Sequence, residues 1–171
     1  MLIKRYASVL AFTGMLCAVQ GQGLPEWTAV ASTCVPDETS LGGRLAMTNG
    51  KIHFGANVLG EIEARCNVTN PRDNNLNPGW NRMEITYSDP DGMAGVTQVL
   101  ADLVRVDKFT GASVIVDTFD SNGFPAAPFL RVSPFNHVFD FINAAYFVDL
   151  RVRRANANLI PGVARVRLFR D

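Results

Sequence analysis

The chain has 171 residues, with 16 Lys and Arg against 16 Asp and Glu and no net formal charge. That balance excludes a global electrostatic footprint for nucleic acid, and the length fits a single domain able to bury around two-thirds of its unfolded surface. Three cysteines and two widely separated histidines exclude the clustered ligand set that zinc requires.

Residues 1–22 have the layout of a cleavable secretory signal peptide: Lys4 and Arg5, an apolar run from Tyr6 to Val19, then the small, polar stretch Gln20-Gly21-Gln22-Gly23. The run is shorter than the roughly 20 residues that cross a bilayer, so no membrane span is expected after cleavage. A lipoprotein reading at Cys17 lacks the small residue expected just before the acylated cysteine. Residues 23–171 are then a single secreted or periplasmic domain carrying 14 basic and 16 acidic side chains, a net charge near −2. Removing Cys17 leaves Cys34 and Cys66, and an even count in an oxidising compartment predicts a disulfide between them.

Apolar and polar residues alternate along the mature chain, with no convincing helical period over ten residues or more. The first hairpin is predicted from Asn49-Gly50, the preferred pair for a two-residue type I′ turn, between Arg44–Thr48 and Lys51–Phe54. Its register sets Leu45 opposite Phe54 and Met47 opposite Ile52, and leaves His53 outside, as a surface residue and not a catalytic base. From Glu61 to Val68 the residues Ile62, Ala64, Cys66 and Val68 share the core face, with Glu61, Glu63, Arg65 and Asn67 facing water.

Further strands are predicted at Arg82–Tyr87, Gln98–Asp107, Ala112–Phe119, Phe129–Val132, His137–Phe141, Ala145–Arg153 and Gly162–Phe169. Turn clusters rich in Gly, Pro, Asn and Asp separate them. About nine short strands of this kind imply an all-β antiparallel sandwich or jelly roll. The segment Phe141-Ile142-Asn143-Ala144-Ala145-Tyr146-Phe147-Val148-Asp149-Leu150-Arg151-Val152-Arg153-Arg154, with the closing Val163–Leu168 strand, resembles the C-terminal portion of uncharacterised secreted bacterial β-proteins. That resemblance implies two terminal strands and carries no activity or site.

Catalytic motifs are missing: no Gly-x-Ser-x-Gly elbow, no His-Glu-x-x-His, and neither His53 nor His137 in a recognisable setting. Glycoside hydrolysis needs only two carboxylates, for which Glu61, Glu63, Glu84 and Asp149 are available, although alternation places Glu61 and Glu63 on a solvent face. Asp89-Pro-Asp91-Gly and Asp117-Thr-Phe-Asp120-Ser-Asn122-Gly offer the hard oxygen ligands calcium takes, without matching an EF-hand. Such turns commonly cap their own backbone, so no cofactor is expected, and calcium at Asp89 and Asp91, or at Asp120 and Asn122, is the one candidate cation.

The C-terminal arginines are the most pointed signal, with Arg151 and Arg153 on one face of their strand and Arg165 and Arg167 on one face of the next. In a direct hairpin they would oppose one another, like charge against like. Acidic neighbours, separation of the two strands, or an anion bound to the stripe would each relieve that repulsion. Trp80, beside Pro78-Gly79, and Trp27 are candidates for presenting a flat face to a sugar or a protein, or for plugging an open end of the sandwich. The chain is thus expected to be a secreted, non-enzymatic β-sandwich that binds a glycan, an anionic one if the arginines act together, or a protein surface. The binding residues named are Arg151, Arg153, Arg165, Arg167 and Trp80. The alternatives are a structural subunit of an envelope or extracellular assembly, and a small carbohydrate-active enzyme.

Overall fold

A computed structural model describes residues 25–41, 43–72, 76–126 and 128–171. The signal peptide and Cys17 lie outside the described residues. Among the described residues, eleven strands form two antiparallel sheets packed as a sandwich: β1 Trp27–Val30, β2 Val35–Pro36, β3 Leu45–Thr48, β4 Lys51–Phe54, β5 Gly60–Val68, β6 Arg82–Ser88, β7 Thr97–Asp107, β8 Ser113–Asp120, β9 Phe129–Pro134, β10 Ala144–Arg154 and β11 Gly162–Phe169. One sheet has the order β3-β4-β11-β6-β9, with β1 sharing the β4 side of β11; the other has the order β2-β5-β10-β7-β8.

Alternation decides which face of each strand enters the core. Ile62, Ala64, Cys66 and Val68 of β5 are buried, and so are Tyr146, Val148, Leu150 and Val152 of β10. The β3–β4 hairpin has the register set by its turn, with Leu45 opposite Phe54 and Met47 opposite Ile52. Asn49 (φ 51°) and Gly50 (φ 80°) supply the two left-handed positions that a type I′ turn needs. The Cys34–Cys66 disulfide is formed, tying the segment before β2 to the core face of β5 across 32 residues.

Three features depart from the sequence reading. His137–Phe141 is not a strand: Asp140 accepts from the backbone N–H of Ile142 and Asn143, each at 3.1 Å, and the Asp140 N–H donates to the Tyr146 hydroxyl at 3.0 Å. Local side chains take up backbone groups that a ladder would otherwise satisfy, while Phe139 and Phe141 stack into the end of the core. Strands β1 and β2 are too short, four and two residues, to show a period. The terminal pair is also no hairpin. Strands β10 and β11 lie in different sheets, and the segment joining them crosses the sandwich.

Candidate functional site

The outer face of the β2-β5-β10-β7-β8 sheet carries an array of charged and amide side chains. Antiparallel register sets them in rows across β5, β10 and β7: Glu61, Arg153 and Gln98; Glu63, Arg151 and Leu100; Arg65, Asp149 and Asp102; Asn67, Phe147 and Val104. Period-2 alternation generates this face, because the same strands put their apolar residues inward. The rows are bonded crosswise. Arg153 pairs with Glu61 and donates to Gln98 Oε1 at 3.3 Å, Arg151 pairs with Asp102, and Arg65 donates to Asp149 at 3.4 Å. Asp102, although on the outer face, is 96 % covered, because Arg151 lies over it and the Thr118 hydroxyl donates to it at 2.7 Å.

Carboxylates outnumber guanidinium groups here, four (Glu61, Glu63, Asp102, Asp149) to three (Arg65, Arg151, Arg153). The Glu63 carboxyl is pushed up by its hydrogen bond with Glu61, then by burial and by the charges of Glu61 and Asp149. Burial raises Asp149 as well, against the opposing pull of Arg65 and Arg151. For Glu61 burial acts upward, but hydrogen bonds with Arg153 and Glu63 outweigh it and hold the carboxyl low. At the β2 edge the face runs into a cleft of about 300 Å³ lined by Val35, Pro36, Asp37, Glu38, Glu63 and Arg65. Phe147, half-buried beside Val104 and within 5.8 Å of the Arg65 guanidinium, gives the array an apolar patch.

The four arginines named from sequence do not form one stripe. Arg151 and Arg153 lie on this face, whereas Arg165 and Arg167 lie on the outer face of the opposite sheet, where Arg165 meets Glu84 at 2.5 Å and Arg167 is paired with both Glu84 and Glu26. Every one of the four has a carboxylate partner, so two of the three routes to relieving their repulsion, separation and acidic neighbours, are realised together. Trp80 is no surface platform either. It is 1 % exposed, its indole N–H donates to Pro25 O at 2.7 Å, and Phe139 and Phe141 meet its ring edge to face. Trp27 is buried as well.

Neither histidine is set beside a nucleophile and an orienting acid. His53 Nδ1 lies 2.9 Å from Phe54 O and Nε2 3.2 Å from the Thr48 hydroxyl, while His137 Nε2 lies 3.0 Å from the Tyr146 hydroxyl. Burial holds the His137 imidazole below its usual range, aided by the Arg105 charge. Arg154 was not legible as special. It stands on the core face of β10, is 3 % exposed, and spends its guanidinium on three backbone carbonyls, Gly55, Asn156 and Ala157. Its only sequence signal is an arginine falling on the inward phase of an alternating strand. The two acidic turns that were separate calcium candidates, 89–97 and 120–122, meet at one end of the sandwich.

No protein-family model matches the chain, and no curated protein matches it. Among solved structures, the CBM36-1 domain of a multidomain xylanase from the hindgut metagenome of Trinervitermes trinervoides is similar at 9 % identity and a TM-score of 0.48, over 86 % of this chain and 98 % of that domain. The low-affinity xylan-binding module CBM86 from Roseburia intestinalis is similar at 11 % identity and a TM-score of 0.44, over 85 % of this chain and 95 % of the module. At these scores and identities no residue, site or activity is carried from them to this chain.

Proposed function

We propose that this protein is an exported, non-enzymatic binding module that takes a neutral, hydroxyl-rich glycan across the outer face of the β2-β5-β10-β7-β8 sheet. The observation that carries this reading is the crosswise row of Glu61, Arg153 and Gln98, with Glu63, Arg151, Arg65 and Asp149 beside it, which mixes donors and acceptors on one face. A sugar hydroxyl both donates and accepts, so a mixed array of carboxylate, amide and guanidinium groups matches it better than a patch of one sign. Phe147, half-buried, offers apolar surface for the C–H face of a ring. A neutral ligand is favoured over an anionic one because all three guanidinium groups on this face are already paired with carboxylates. The disulfide is consistent with a location outside the cytoplasm, and no helix among the described residues is long and apolar enough to cross a membrane.

The test is titration of the purified protein with neutral and uronic-acid-containing polysaccharides, followed by the double variant Phe147→Ala, Gln98→Ala. Binding to a neutral glycan should weaken tenfold or more in the variant and change little with salt. Failure to bind any neutral polysaccharide, or binding that the double variant leaves intact, would overturn the reading. A second reading, an assembly subunit, rests on a different observation. The free edges β8 and β9 run beside one another and expose Val114, Ile115, Phe129, Leu130 and Val132.

A further inference from the structure

We infer that the junction of the 89–97 and 120–122 turns is a calcium site, with the Asp89 and Asp91 carboxylates as its charged ligands. Asp89 is fully buried, its Oδ2 has no hydrogen-bond partner, and among the described residues neither Asp89 nor Asp91 has a Lys, Arg or His within ion-pair distance. A buried carboxylate with no cationic partner is costly, and a proton or a cation relieves that cost.

The Asp89 and Asp91 carboxylates converge on one hydroxyl. The Thr97 hydroxyl lies 2.6 Å from Asp89 Oδ1 and is also in contact with Asp91 Oδ1. One hydroxyl has one proton to donate, so the other contact calls for a proton on a carboxyl or a cation between the oxygens. Two backbone N–H groups, from Val96 at 2.7 Å and Thr97 at 2.9 Å, hold the Asp91 carboxylate in place. The Ser121 hydroxyl, which also adjoins Asp89, accepts from Val99 N at 2.8 Å and anchors the second turn to β7. Asp120 is excluded as a ligand through Oδ1, which accepts from Asn122 N and Gln98 Nε2, each at 2.9 Å.

Asn122 adds a further oxygen-rich contact: one terminal atom of its amide lies 3.1 Å from both Gly92 O and Thr97 O. As an NH₂ it donates to both carbonyls; as an oxygen it joins them around a positive centre. The site does not depend on that choice, since Asp89, Thr97 and Asp91 remain crowded either way. The fold also enforces the close approach. Gly92 has φ +60°, and a side chain there would run into the Pro125–Ala126 backbone. No group of three or more His, Cys, Asp or Glu side chains is gathered for a metal among the described residues, so the coordination would combine two carboxylates with hydroxyl and carbonyl oxygens, which suits calcium better than zinc.

The experiment is calorimetric melting of the EDTA-treated protein alone, with CaCl₂ and with MgCl₂, alongside titration calorimetry with CaCl₂. A calcium concentration a hundred times Kd should raise Tm by about 5–10 °C, with one site per chain and a smaller response to magnesium. Asp89→Asn, which removes the charge and keeps the shape, should abolish the calcium response. No Tm difference between EDTA and saturating CaCl₂ would show that a proton neutralises Asp89 and overturn the inference. So would an Asp89→Asn variant that folds and still responds. Gln98 joins the sheet-face array to the Asp120 turn, so the single variant Phe147→Ala is used to separate the proposals: it should lose glycan binding with an intact calcium response, and Asp89→Asn the reverse.

Discussion

At the scale of single residues, the informative positions are polar groups on the wrong side of an alternating strand. Asp117 points inward from the edge strand β8, its Oδ2 is buried without a partner, and burial pushes its carboxyl up against the opposing hydrogen bonds of Ser133 and the Thr118 backbone. A carboxyl raised in the folded state binds its proton more tightly there. Its contribution to stability is therefore full below its ordinary value near pH 4 and is lost as pH rises through the raised one. Asp117→Asn should accordingly melt a few degrees above the parent at pH 7 to 8, and the gap should close as pH falls below about 4, measured by thermal melts across that range. A gap of the same size at all pH values would mean that Asp117 is not the titrating group. An inward charge on an edge strand also discourages pairing with a neighbouring chain, which gives the penalty a use.

At the scale of elements, the hairpin and the β5 alternation were legible in the sequence because each depends on local rules. Asn49-Gly50 specifies its own turn, and a period of two specifies its own buried face. His137–Phe141 misled for the same reason. Its alternating aromatics are needed in the core, but they arrive there on irregular chain, whose backbone groups are satisfied by Asp140 and Tyr146. The disulfide was legible from parity alone once the signal segment was set aside. It closes a loop of 32 residues, and its loss should cost roughly 3.5 to 4 kcal/mol on the chain-entropy model. The check is denaturant unfolding of the Cys34→Ala, Cys66→Ala variant beside the oxidised parent, with an intact mass that shifts on reduction and alkylation. An unchanged midpoint would mean that the bridge contributes little beyond what core packing already supplies.

For the whole molecule, the decisive fact is that β10 and β11 belong to opposite sheets. Arginines that look like one stripe in the sequence become two sets, each neutralised by carboxylates distant in the chain: Asp102 and Glu61 on one side, Glu84 and Glu26 on the other. The oligomeric state tests the competing assembly reading at this scale. Light scattering on the purified protein should give a monomer mass across a wide concentration range if the sheet face, and not the β8 and β9 edges, is the working surface. Association that strengthens with concentration and is removed by Ile115→Lys or Leu130→Lys would favour assembly instead.

The sequence by itself determined the class of fold, the first hairpin with its register, the buried face of β5, and the pairing of Cys34 with Cys66. These follow from turn chemistry, side-chain alternation and cysteine parity, which act over a few residues or on a count. Only the tertiary structure decided which strands share a sheet, that Trp80 is a core plug, that the arginines are split and paired, and that Asp89 meets Thr97 and Ser121. Strand order and the approach of distant turns depend on how two amphipathic sheets bury their apolar faces against each other, and a period of two carries no information about which neighbour a strand will have.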